Sequence, residues 1–208
     1  LDVQINGAVE VLRSGGVVAV PTDTLYGLAA SASDVEAVKR VYHIKRRPEV
    51  KAIPLLIADG CQIGDYAEHV SDMAKKLATA FFPGALTLVL PSNNRVPDEI
   101  TGGKGTVALR VPDHPVPRAI ARKLGGAITG TSANRSGEHS PTTADEVRHQ
   151  LGTDVDLVVD GGECRGGKAS TVVDVTGFSL RVLREGVVLM EELEAVLGFK
   201  PVRACEKD

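Results

Sequence analysis

Thr22, Asp23 and Thr24 follow the apolar run Val17–Val20 with only Pro21 between, and no histidine or cysteine stands beside them. A serine or threonine nucleophile needs a base within hydrogen-bond reach, usually a histidine held by an acid. The five histidines, His43, His69, His114, His139 and His149, fall on predicted helices or in charged, exposed contexts, and none sits in a nucleophile motif. The chemistry open to these residues is therefore binding and positioning. Thr22, Thr24, Thr106, Ser132, Asn134, Ser140 and Ser170 all fall at predicted strand ends or in glycine-rich loops. Singly they are turn and cap residues. Cations join them: Lys45, Arg47 and Lys51 at a helix-to-loop junction around Pro48, and Arg110 and Arg184 near the ends of apolar strands. Together they describe a cradle for phosphates and a small polar molecule, suited to nucleotidyl or phosphoryl transfer, where positioning and charge neutralisation do most of the catalysis.

Each candidate has a plainer reading. Lys39, Arg40 and Arg46 read as a solvated helix end whose cations complement the macrodipole. Arg110 could form a surface salt bridge. An arginine leaving a buried strand is costly unless it meets an anion, so it is expected to grip a ligand across an open cleft, with no buried partner of its own and no role in thermal stability. The run "GECRGGKAS" (162–170) nearly spells a Walker A loop, but Ala169 stands where a hydroxyl should reach magnesium, and the following "STVVDV" reads as a strand rather than a helix. A glycine-rich turn between strands is the expectation there.

These groups need a scaffold. Ile5, Ala8, Val9 and Leu12 recur at helical spacing before Gly15-Gly16, and the Val17–Val20 strand follows. Ser33 with Glu36 reads as a capping box opening a helix that ends before Pro48. Further strands are predicted at 53–58, 85–90, 106–111, 127–132, 156–160, 170–175 and 179–183. Helices are predicted at 71–82 capped by Ser71, at 115–124, after Thr143 and Glu146, and at about 187–197. The alternation predicts an α/β domain, and the short turn between the last two strands predicts a mixed sheet.

The 208 residues are 43% hydrophobic and 25% charged, as in an ordinary globular protein, with no repeat or linker to divide the chain. A net charge of -3 and a pI of about 6.0 provide no global basic field for nucleic acid. Cys61, Cys164 and Cys205 lack metal-ligand or disulfide spacing, so a metal-free, reducing, cytoplasmic setting is expected. No apolar run approaches the roughly 20 residues of a membrane span.

Six blocks, "VVAVPTDTLYGLAA", Lys45-Arg46-Arg47-Pro48, "FFPGALTLVL", "TVALRVPDHP", "TSANRSGEHSPT" and "STVVDV…RVLREG", resemble in order those of the YrdC-like threonylcarbamoyl-AMP synthases, from about Gly16 to Gly186. The resemblance implies a twisted mixed β-sheet flanked by helices, with an open, positively lined concave cavity. It also implies a reaction that combines L-threonine, bicarbonate and ATP, with Mg2+, into threonylcarbamoyl-AMP and pyrophosphate for tRNA modification. The attacking group would be the carboxylate of a threonine carbamate, already anionic at neutral pH, which explains why no enzymic base is needed. The resemblance places the threonine pocket on Thr24, Arg110, Gly130 and Ser170. It places ATP on Arg47, Lys51, Thr106, Ser132, Ser140 and Arg184, and the catalytic K-x-R and S-x-N pairs on Lys45, Arg47, Ser132 and Asn134. Leu56 stands where some relatives carry a histidine in the threonine pocket. The partners implied are downstream tRNA threonylcarbamoyl-transfer proteins and, weakly, tRNA itself, with no membrane.

The chain is read as one YrdC-like domain over 1–208, the short form without a lid of its own. Two rivals remain: a carbamoyl-adenylate-forming domain of the same fold, as in hydrogenase-maturation proteins that also carry zinc-binding segments, and an RNA-binding module, against which the acidic pI argues.

Overall fold

The computed structural model describes residues 1–204; Cys205 lies outside them. Its strands are β1 (Val18–Val20), β2 (Gly27–Ala29), β3 (Leu55–Leu56), β4 (Leu86–Pro91), β5 (Thr106–Arg110), β6 (Ile128–Thr129), β7 (Thr131–Ser132), β8 (Leu157–Val158), β9 (Thr171–Asp174), β10 (Arg181–Arg184) and β11 (Val202–Arg203). Its helices are α1 (Asp2–Arg13), α2 (Val35–Lys45), α3 (Ile63–Tyr66), α4 (Asp72–Phe81), α5 (Asp98–Thr101), α6 (Pro115–Leu124), α7 (Ala144–Leu151) and α8 (Met190–Leu197).

The strands form a seven-stranded sheet in the order β11-β10-β9-β4-β5-β3-β6 and a four-stranded sheet in the order β7-β2-β1-β8. The larger sheet is mixed: β4 runs parallel to β9 and β3 to β5, whereas β4 and β5 are antiparallel. The short connection between β9 and β10 makes them an antiparallel pair, as the sequence predicted.

The helices form where their apolar spacing and caps place them. Ile5, Ala8, Val9 and Leu12 are the buried stripe of α1. Ser71 accepts from the Ala74 amide to cap α4, and Thr143 with Glu146 closes a capping box on α7. The cap of α2 differs from expectation. Asp34 accepts from the Ala37 amide, while the Ser33 hydroxyl lies 3.0 Å from that of Ser31. A carboxylate at that end also meets the positive pole of the helix dipole, which the serine would not exploit.

The 127–132 segment, expected as one strand, is two. Ile128–Thr129 pairs with β3 in the large sheet, Thr131–Ser132 pairs with β2 in the small one, and Gly130 lies between. A Cβ at Gly130 would stand 2.5 Å from Leu56 Cγ, so only glycine lets the chain cross from sheet to sheet against that side chain. The strand β2 also escaped the sequence reading, because Gly-Leu-Ala has little intrinsic strand preference and is held extended by β1 and β7 on either side. The short elements α3, α5 and β11 were likewise not predicted.

Candidate active site

Alternation along the strands of the large sheet builds one wall of a cavity. Leu86, Leu88 and Leu90 of β4, Val107 and Leu109 of β5 and Val173 of β9 face the main core. Their neighbours Thr87 and Val89, Thr106, Ala108 and Arg110, and Ser170 and Val172 face the opposite way and line a cavity of about 440 Å³. A shift of register between Val182 and Arg184 of β10 brings both Leu183 and Arg184 to its rim. The other walls are the Thr22–Gly27 turn, the loop after α2 with Arg47, Lys51 and Ala52, and the strand switch with Gly130, Thr131 and Ser132.

Ten of the twelve residues to which the resemblance assigns a role line this cavity, Thr24, Arg47, Lys51, Thr106, Arg110, Gly130, Ser132, Ser140, Ser170 and Arg184, and Thr22 lines it with them. Lys45 and Asn134 do not. Lys45, only 2% exposed, sits behind the wall and donates to the carbonyls of Ser132 at 2.5 Å and Asn134 at 2.8 Å and to Asn134 Oδ1 at 3.2 Å. Asn134 Oδ1 in turn accepts from the Ser132 hydroxyl at 2.5 Å, and Asn134 Nδ2 donates to the Glu138 carbonyl. Lys45, Ser132 and Asn134 are thus one connected unit, in which Lys45 and Asn134 hold the loop that presents Ser132, whereas Arg47 bonds elsewhere, to the Ala52 carbonyl. Desolvation, with the nearby Arg47 charge, pushes the Lys45 ammonium down to about 8.

Arg110 departs from expectation. Its Nη2 pairs with Asp23 Oδ1 at 2.6 Å, Nη1 donates to Thr24 Oγ1 at 2.9 Å and Nε donates to the Gly84 carbonyl at 2.9 Å. The arginine that was to face an empty cleft has a largely buried carboxylate partner, so a structural role accompanies any ligand role. Of five guanidinium donors three are engaged, which leaves two hydrogens for a ligand. Thr22 fixes the turn beneath: its hydroxyl donates to the Leu25 carbonyl and lies 2.9 Å from Thr24 Oγ1. The glycine-rich segment at 160–168 packs on this turn, where a Cβ at Gly166 would stand 2.7 Å from the Asp23 carbonyl; it is a turn, as expected, and no phosphate loop.

The electrostatics are one-sided. Among the described residues, the lining holds Arg47, Lys51, Lys104, Arg110 and Arg184 and no carboxylate, histidine or cysteine. Of these cations only Arg110 is ion-paired. Desolvation lowers the pKa of Arg184, and the charges of Arg110 and Arg47 lower it further. Desolvation lowers Arg47 as well, and its buried Nε has no hydrogen-bond partner. Mutual repulsion and an unmatched donor are the marks of a site completed by an anion. Ser170 ties the two sides together, with its hydroxyl 2.9 Å from Thr87 Oγ1 and its carbonyl accepting from Arg184. By contrast Lys39 and Arg40 pair with Glu36 and Asp156, as solvated helix-end residues do.

Sequence reasoning missed Thr87, Lys104 and Leu183 as lining residues. Thr87 carried a signal, being the one polar residue in "ALTLVL" and in step with the cavity face, whereas Leu183 reaches the rim only through the β10 irregularity.

The structure is that of a mixed α/β domain whose large sheet lines a cavity with hydroxyls and cations, and comparison with known proteins places it further. The model of the Sua5/YciO/YrdC family, described as telomere recombination, matches residues 10–186, and the chain belongs to that family. It is 42% identical over 198 residues to a threonylcarbamoyl-AMP synthase of Bacillus subtilis, covering 95% of this chain and 57% of the relative. A putative threonylcarbamoyl-AMP synthase of Methanocaldococcus jannaschii is 38% identical over 182 residues, covering 88% of this chain and 85% of that one. The crystal structure of Pyrococcus abyssi Sua5 complexed with L-threonine superposes with a TM-score of 0.92 at 40% identity, covering 95% of this chain and 58% of that chain. The chain thus spans a little over half the length of the Bacillus and Pyrococcus proteins.

Proposed function

We propose that this chain is an L-threonylcarbamoyladenylate synthase. The observation that carries the reading is a cavity holding five cations and a set of hydroxyls with no side chain placed as nucleophile or base. The reaction that fits brings its own nucleophile. Threonine and bicarbonate give a carbamate with loss of water, and its carboxylate oxygen bonds to the α-phosphorus of ATP as the bond to the bridging oxygen breaks. Pyrophosphate leaves with the electron pair. The protein holds the partners in line and neutralises charge.

Depth orders the ligands. Thr24, Arg110 and Ser170 are buried, so threonine occupies the inner end, with its carboxylate on the two free donors of Arg110. Lys51 is exposed, so the triphosphate runs outward past Arg47, Ser132 and Arg184. Leu56 over Gly130 gives the inner end an apolar wall. The lining offers magnesium no carboxylate, so the ion enters on the nucleotide, held by phosphate oxygens and water. Among the described residues no helix is long and apolar enough to cross a membrane, and Cys61 and Cys164 are free thiols, which suits a reducing cytoplasm. The product, a reactive acyl-adenylate, calls for an acceptor enzyme that transfers the threonylcarbamoyl group to tRNA.

Incubation with ATP, magnesium, bicarbonate and threonine should release pyrophosphate and yield threonylcarbamoyl-AMP by mass spectrometry. Release only with carbamoyl phosphate, or none under any condition, would overturn the reading.

A further inference from the structure

Lys104 is the cavity's fifth cation, and it sits in a loop shaped to present it. Gly102, Gly103 and Gly105 have φ of +61°, +70° and +63°, a left-handed run around Lys104 that side-chain-bearing residues rarely adopt. The loop is docked rather than free. A Cβ at Gly102 would stand 2.6 Å from the Val50 carbonyl, so the glycine lies flat against the segment that carries Lys51. That segment is itself tethered: the Tyr42 hydroxyl lies 2.9 Å from the Lys51 carbonyl, and Arg47 Nη2 donates to the Ala52 carbonyl at 3.1 Å. On the other side, Gly105 accepts from the Ser92 amide, and Thr106 of β5 follows immediately with its side chain in the cavity. Two loops, packed on each other and each tied to the body of the domain, thus converge on one rim of the cavity and bring Lys51 and Lys104 there beside Arg47. Among the described residues Lys104 has no ion-pair partner, and the lining has no carboxylate to supply one.

We propose that Lys104 is a phosphate-binding residue for the outer end of the nucleotide, the β- and γ-phosphates in ATP and the pyrophosphate after transfer. This rests on the synthase reading, and it assigns Lys104 to one product. When the α-phosphorus forms its bond to the carbamate oxygen, the bond to the bridging oxygen breaks and its electron pair stays on pyrophosphate, so negative charge grows at the rim. A compact ammonium on an exposed loop meets that charge without the fixed fork geometry of arginine, and it can follow the anion out. Arg47, partly buried and held by Ala52, is placed to stay behind.

The test uses AMP, pyrophosphate and ATP as separate probes with the parent protein, Lys104→Met and Lys104→Arg, by calorimetry and by steady-state kinetics. Lys104→Met should weaken pyrophosphate and ATP binding about tenfold, leave AMP and threonine affinity within about twofold, and keep the parent melting temperature. Lys104→Arg should recover most of the loss. Unchanged pyrophosphate affinity in Lys104→Met, or an equal loss for AMP, would overturn the assignment. Binding needs no turnover, so a parent that binds pyrophosphate through Lys104 but makes no threonylcarbamoyl-AMP would sink the synthase reading while leaving the phosphate site intact.

Discussion

Arg110 is where a substitution separates ligand binding from folding, because the structure gives it buried partners and the proposed function gives it a ligand. In Arg110→Lys the charge stays and the fork goes. One ammonium can keep the contact to Asp23, but it cannot also reach the Gly84 carbonyl and the Thr24 hydroxyl, which the guanidinium meets at 2.9 Å each. Two hydrogen bonds from a charged donor, at the low end of about 1.5 kcal/mol each, give a loss of about 3 kcal/mol. In a domain of this size that is a fall in melting temperature of roughly 6–12 °C. Threonine affinity should fall at least tenfold in the same variant, whereas ATP affinity measured without threonine should change little. Arg110→Met should destabilise more, by about 3–5 kcal/mol, since it strands the Asp23 carboxylate. Adding Asp23→Asn removes that stranded charge. The double variant should therefore regain much of the lost stability and none of the lost threonine binding. The assays are thermal denaturation and threonine titration on the four proteins. A parental melting temperature for Arg110→Met, or threonine binding restored in the double variant, would refute the reasoning.

Two further outcomes follow from the same geometry. Lys45, pushed down to about 8, loses its proton between pH 8 and 10 in the folded chain but keeps it when unfolded, so this group raises stability with pH across that window by at most about 1.4 kcal/mol per unit. Activity should move the other way, falling with an apparent pKa near 8 as Lys45 loses its charge and one of the three donors that meet the Ser132 carbonyl, the Asn134 carbonyl and Asn134 Oδ1; a pH–rate profile flat to pH 10 would remove Lys45 from the support of that loop. Gly130→Ala should cost stability and threonine affinity, because the new Cβ meets Leu56 Cγ at 2.5 Å, and Leu56→Ala in the same chain should restore folding in part, as read by denaturant titration.

Much of this site could be read from the chain because its polar residues cluster at strand ends, where apolar runs stop abruptly. Thr22, Thr24, Ser132 and Ser170 announce themselves in that way, and the period of two along "TVALR" puts Thr106 and Arg110 on one face without any structure. Helices declared themselves through caps and spacing, and where the cap was misread, at Ser33 rather than Asp34, the error was a single residue between two good capping types. Pairings across long sequence separations were illegible. Nothing local says that Asp23 will meet Arg110, 87 residues away, or that Lys45 will reach Asn134, 89 residues away. The same applies to Lys104, whose neighbourhood is made by the docking of its glycines on Val50. The split at Gly130 was hidden because its cause is the side chain of Leu56, on a different strand.

The placement of negative charge shows how an acidic chain can keep a cationic site. With a net charge of -3, the carboxylates must lie somewhere, and among the described residues none is in the cavity lining. Asp23 is spent on Arg110 from below the Thr22–Thr24 turn, and Asp174, at the far end of β9 from Ser170, pairs with Arg181. Asp23 could not be dispensed with, since an arginine as buried as Arg110 would otherwise carry an unpaired charge when no ligand is bound. The arrangement keeps one cation paired at the inner end, where the proposed reaction would grip a small zwitterion in a fixed orientation. At the outer end Arg47, Lys51, Lys104 and Arg184 remain without carboxylate partners among the described residues, where the proposed reaction would bring in and release a polyanion. Repulsion among the partly buried Arg47, Arg110 and Arg184 lowers the stability of the empty domain, and on the proposed reading a bound nucleotide would relieve it. The consequence is that ATP should raise the melting temperature more than an equal concentration of AMP does, and that added salt should narrow the difference, because exposed charges are screened and the inner pair is not.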